Sequence, residues 1–210
     1  MTVLDVPAFD VADFEVFGIP GLEPRMEALI SRVRPKLTKL GEELAPYLSA
    51  LCGEPMYPHV ARHARRTINP PDDTWVAWAN NKKGYKAHPH FQVGLWSTHV
   101  FVQFAVIYES GNKEIFARNL EKKLPAIRKS IPGHFRWSTD HMQPESSVHK
   151  DMSKQDFERM IDKLQRVKKT EALCGIRIDR KDPVLTDPAL LTDIIKDTFD
   201  RVMPLYRIAF

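Results

Sequence analysis

The stretch HVARHARRTINPP, His59 to Pro71, carries the densest chemical potential in the chain. Two histidines stand four apart, and Arg62, Arg65 and Arg66 precede Thr67, Asn69 and a double proline. Guanidinium groups grip phosphate or carboxylate through a two-pronged fork, most strongly where neighbours hold them still. The prolines restrict the backbone that follows the arginines. If the segment is extended, Arg65 and Arg66 point to opposite faces, so at least one turns towards the sheet it adjoins. A second basic group, NNKKGYKAHP, places Lys82, Lys83 and Lys86 around Gly84, with Tyr85 between them, and leads into His90 and Gln92.

Other chemistries fit less well. On a helix, His59 and His63 would share a face at the spacing zinc enzymes use, but Val60 stands where the protease motif needs Glu. On a strand the pair would lie ~13 Å apart, too far to share one ion. His88, His90, His99, His134, His141 and His149 show no ligand spacing, so no metal site is expected, and the histidines read as hydrogen-bonded groups near a sheet edge. There is no GxSxG, GxGxxG or Walker loop, and neither cysteine has a histidine neighbour, so no cofactor is called for. Asp140-His141 could orient an imidazole, but such neighbours are common by chance.

The elements that must position these groups follow from periodicity. Met26, Leu29, Val33, Leu37, Leu40, Leu44, Leu48 and Leu51 recur every three or four residues, and Pro35 implies a break or kink with a second helix starting near it. Thr74–Ala79 reads as a short strand. HFQVGLW and HVFVQFAVIY follow as two longer ones joined at Ser97-Thr98, which forces an antiparallel hairpin. With Trp96 opposite His99, the pairs Leu95/Val100, Val93/Val102 and Phe91/Phe104 share an apolar core face. The reverse face then carries His90, Gln92, Gly94, Trp96, His99, Phe101, Gln103 and Ala105, with Gln92 across from Gln103. Ile115 to Ile131 predicts a helix stopped by Pro132-Gly133, and FRWS is a short strand candidate. Ser153 caps a helix with Phe157, Met160, Ile161 and Leu164 inward. LCGIRID alternates as a strand, and Asp187-Pro188 opens the last helix. The expected fold is α+β: an antiparallel sheet with a central hairpin, flanked by helices from both ends of the chain. The arginines, the lysine loop and the polar sheet face are then expected to meet at one end of that sheet.

The 210 residues, 43% apolar and 28% charged, suit one globular domain spanning 1–210. The net charge of +4 permits a polyanionic partner without requiring one. Cys52 and Cys174 lack ligand spacing and sit in apolar surroundings, which reads as buried free thiols in a reducing, cytoplasmic setting. The N-terminus, MTVLDVPAFDV, has no basic region before an apolar run, and no segment approaches the ~18 apolar residues of a membrane helix. No membrane partner is expected.

The run His59 to Trp96 resembles the YktB-like family of uncharacterised bacterial proteins, as do DFEVFGIPGLEPRM, RPKL at Arg34 to Leu37, and VKKTEALCGI at Val167 to Ile176. The resemblance spans nearly the whole chain. It implies a single α+β domain in a bacterial cytoplasm and supplies no catalytic assignment.

The leading expectation is a binding module for an anionic ligand, either RNA or a phosphorylated small molecule. Arg62, Arg65, Arg66, Lys82, Lys83 and Lys86 would neutralise charge, and His63, Asn69, Tyr85, His90, Gln92 and Gln103 would complete the contacts. The competing account is a solvated basic rim. One alternative is an enzyme on a phosphorylated or acyl substrate with His90 or His141 as general base. Another is a protein-interaction domain using an exposed apolar patch on the reverse sheet face.

Overall fold

Proline and aspartate set the helix boundaries. The computed structural model describes residues 6–210. Asp10 caps α1 (Val11–Glu15) in a capping box with Asp13. The long leucine stripe is carried by α2 (Leu22–Ala28) and α3 (Arg34–Cys52), with Pro35 in the first turn of α3 and a single π-helical turn, Leu29–Val33, between them. The chain does not break at Pro35: it stays helical from Leu22 to Cys52, and the irregularity is the π turn just before Pro35, which keeps Leu29, Val33, Leu37, Leu40, Leu44 and Leu48 on one buried face. Asp13 is fully buried, and the Arg32 and Lys36 side chains pair with it at 3.0 and 2.5 Å, which ties α1 to the π turn and the start of α3.

The strands are β1 (Tyr57–Val60), β2 (Asp73–Ala79), β3 (His90–Trp96), β4 (His99–Val106), β5 (Arg136–Ser138), β6 (Ser147–Val148) and β7 (Ala172–Asp179). They form a seven-stranded antiparallel sheet in the order β1-β2-β3-β4-β7-β5-β6. With α4 (Lys113–Ser130), α5 (Lys154–Arg166) and α6 (Pro188–Arg207), the architecture is α+β. β3 and β4 are joined by Ser97-Thr98 alone. Ser153 caps α5 in a capping box with Asp156, and Asp187 receives the Ala189 and Leu190 amides at the start of α6. Short strand β6 lies inside what the sequence presents as a polar loop.

By Cα packing the chain divides into two compact units. The first holds residues up to 78, 92–101 and 177–196; the second holds 79–91, 102–176 and 197–210. In the first, α3 packs on β1 and β2. Trp78 Nε1 donates to the Gly41 carbonyl at 2.8 Å, and a Cβ at Gly41 would stand 3.0 Å from Pro58 Cβ and Val76 Cγ2. Gly41, which weakens α3 by propensity, allows this approach. In the second, the Phe91 and Phe104 rings meet edge-to-face at 6.0 Å, as the hairpin pairing expects. Phe116 of α4 and Phe199 and Tyr206 of α6 close over them. Trp137 of β5 and Phe157 of α5 meet edge-to-face, their ring centroids 5.5 Å apart.

Among the described residues, no helix is long and apolar enough to cross a membrane. Cys174 is buried as expected, and burial pushes its thiol well up, away from the reactive thiolate. Cys52 differs: it is half-buried at the end of α3.

Candidate anion-binding site

The arginine-bearing segment leaves edge strand β1 at Val60 and turns sharply. His63 adopts φ 52°, the left-handed region, and its carbonyl accepts from the Arg66 amide at 3.0 Å. A non-glycine residue held there costs about 1 kcal/mol or more, so the surroundings must fix it. They do: His63 Nε2 shares a 3.2 Å hydrogen bond with Thr74 Oγ1, and the ring sits edge-on to Trp75 of β2 at 5.6 Å. The result is a half-buried imidazole with its pKa lowered to about 4. Burial is the largest cause, followed by the positive charges of Arg66 and Arg34.

Arg34, in the first turn of α3, reaches across to donate from Nη2 to the Arg62 carbonyl at 3.3 Å. Arg66 is half-buried and directs Nη1 at the Pro70 carbonyl at 3.5 Å. Arg62, Arg65 and Asn69 are exposed. Among the described residues, no carboxylate lies within ion-pair distance of Arg34, Arg62, Arg65 or Arg66. By contrast, Arg25 is paired with Asp72 at 3.1 Å, and Arg32 with Asp10 and Asp13. Arg25 and Arg32 thus fasten the chain through ion pairs, whereas, among the described residues, Arg34, Arg62, Arg65 and Arg66 carry no countercharge.

The other expected site residues divide in two. On the loop before β3, Lys82, Lys83 and Lys86 are exposed, and Lys86 pairs with Glu109 at 3.3 Å. Tyr85 is half-buried and packs edge-on against the His90 ring at 4.9 Å. His90 is fully buried and donates from Nδ1 to the His88 carbonyl at 2.7 Å. Burial therefore removes His90 from the surface on which a general base was expected. Gln92 is buried and Gln103 half-buried, so the reverse face of the hairpin is far more covered than its polar composition implies. Packing is tight there. A Cβ at Gly94 would fall 2.4 Å from the Phe101 ring and 2.6 Å from Trp75 Cβ, and one at Gly175 would fall 2.7 Å from Gln103 Cβ.

His141, the other base considered, is held by a residue that local sequence could not reveal. Its Nδ1 donates to the Glu171 carboxylate at 2.7 Å, and its amide donates to the same group at 2.8 Å. Glu171, thirty positions on, is buried, and also receives the Tyr108 amide at 3.2 Å. Asp140 instead turns back on its own loop, accepting from the Met142 amide at 2.8 Å. His149 is structural: Trp137 Nε1 donates to its Nδ1 at 2.9 Å, and its Nε2 donates to the Arg128 carbonyl at 3.0 Å. Burial lowers the pKa of that ring too.

Residues 9–206 match the family described as Domain of unknown function (DUF1054). The chain is 52% identical over 198 residues to a UPF0637 protein of Bacillus velezensis, covering 94% of each. It is 51% identical to a UPF0637 protein of Bacillus licheniformis over 95% of each chain. A third, from Bacillus cytotoxicus, is 44% identical over 98% of this chain and 99% of its own. The protein belongs to the DUF1054 family.

Proposed function

We propose that the protein is a cytoplasmic binding module for a polyanion, with single-stranded RNA preferred over a phosphorylated small molecule. The observation that carries this is the set of four arginines without a carboxylate partner, two of which, Arg66 and Arg34, oppose protonation of His63. Like charges gathered around a half-buried ring destabilise the free protein, and an incoming phosphate relieves that repulsion. Arg62 and Arg65, both exposed, extend the charge along the surface, which favours a chain of phosphates over one. The half-buried Trp75 beside His63 is proposed to stack on an unpaired base.

The test is fluorescence anisotropy with a labelled single-stranded RNA at low ionic strength. Binding is expected, and Arg34→Ala combined with Arg66→Ala should weaken it at least tenfold. Absence of binding, or affinity untouched by the double substitution, would remove the reading. We also propose that residues 1–210 form one folding domain, because β3, β4, β7 and α6 each contribute residues to both compact units.

A further inference from the structure

A buried carboxylate beside an imidazole and a second carboxylate marks a second site, in the other compact unit. Glu171 is 1% exposed and accepts two backbone amides, from Tyr108 and His141, together with the His141 ring. Taking a carboxylate out of water is costly unless a cation pairs with it. Lys113 is close enough to feel Glu171, but its ammonium donates to the Val167 and Lys168 carbonyls at 2.7 and 2.8 Å instead. Among the described residues, the one side chain within ion-pair distance of Glu171 is His141, at 2.7 Å.

A third donor completes the arrangement. One ligand atom from each of Asp140, His141 and Glu171 falls within 4.8 Å of the others. Asp140 also lines a cleft of about 770 Å³, together with Ser138, Thr139 and Gln143, so the cluster has an aqueous side. We infer that Asp140, His141 and Glu171 hold a divalent first-row metal ion, with Zn²⁺ or Mn²⁺ as the fitting species. One imidazole and two carboxylates suit those ions, whereas Ca²⁺ and Mg²⁺ favour oxygen alone.

The geometry is compatible. Bonds of ~2.1 Å place neighbouring donor atoms roughly 3.0–3.4 Å apart. The His141 Nδ1 to Glu171 distance of 2.7 Å must therefore open by a few tenths of an ångström as the proton leaves Nδ1. Glu171 and Asp140 are already steadied by backbone amides, the outer-shell support that orients metal-binding carboxylates. With three protein ligands, the ion keeps a coordination position for water on the cleft side.

The experiment uses the full chain, stripped with chelator and titrated with Co²⁺, followed by visible absorption, and with Zn²⁺ and Mn²⁺ by calorimetry. One ion per chain is expected. His141→Ala and the exposed-site variant Asp140→Asn should each weaken binding at least tenfold, while His134→Ala, at an exposed histidine, should leave it unchanged. Glu171→Gln removes a buried acceptor and endangers folding, so Asp140→Asn carries the decision. Failure of all three ions to bind, or binding that survives both His141→Ala and Asp140→Asn, overturns the assignment. No nucleic acid enters this test, so its outcome is separate from the RNA reading.

Discussion

His63 makes stability depend on pH in a direction fixed by its surroundings. In the folded chain its pKa is about 4, lowered by burial first and then by Arg66 and Arg34. In the unfolded chain an imidazole titrates near ~6.5. Between those values the unfolded chain binds a proton that the folded chain refuses, so stability is full above pH ~6.5 and falls as the pH drops towards ~4. At full weight the gap is worth about 3 kcal/mol. Because the ring is only half-buried, solvent screening reduces this to about 1–2 kcal/mol. The assay is urea denaturation across this range for the parent and for His63→Asn, since asparagine tolerates the left-handed backbone at this position. His149 is displaced the same way, so the variant should keep a shallower dependence rather than none. An identical pH dependence in parent and variant would refute the description of His63 as a neutral ring among cations. Phosphate bound at Arg34 and Arg66 should raise the His63 pKa, which an NMR titration reads directly.

Three other outcomes follow from the packing and the second site. Gly175→Ala would put a Cβ 1.9 Å from the Val102 carbonyl and 2.6 Å from Gln103 Cα, both backbone atoms that cannot swing aside. It should destabilise by about 3 kcal/mol or more, read as a lower melting temperature, whereas Gly84→Ala, with open space around it, should shift stability by no more than about 0.5 kcal/mol. Calorimetry should show one unfolding transition for residues 1–210; two separate transitions would mean two domains. Zn²⁺ or Mn²⁺ should raise the melting temperature of the parent and not of His141→Ala, because an ion that binds only the folded chain stabilises it.

The fold was legible wherever local pattern and tertiary packing agree. The leucine stripe, the Ser153 cap, the Asp187-Pro188 start and the two-residue link at Ser97-Thr98 all carry their signal within a few residues. Helix α1 was hidden because its capping box uses Asp10 and Asp13 in place of the more familiar Ser and Glu. β6, two residues long within a polar loop, offers no periodicity to detect. The candidate site was legible only in part. Arg62, His63, Arg65 and Arg66 announce themselves by density, but Arg34 lies 28 positions from its partner Arg62 and is brought there by α3. Glu171 is a lone acid in sequence, and only the fold sets it under His141. The reverse hairpin face misled in another way: composition gives polarity but not cover, and His90 and Gln92 are buried.

The salt dependence of RNA binding tests the central claim most directly. Four arginines contacting phosphates on a single strand imply a slope of log affinity against log salt near −2.8, about a 50-fold loss between roughly 50 and 200 mM. Removing Arg34 and Arg66 should halve the slope, to about −1.4, with roughly a 7-fold loss over the same range. A slope near zero, or one that the double substitution leaves unchanged, contradicts the assignment of these arginines to anion binding.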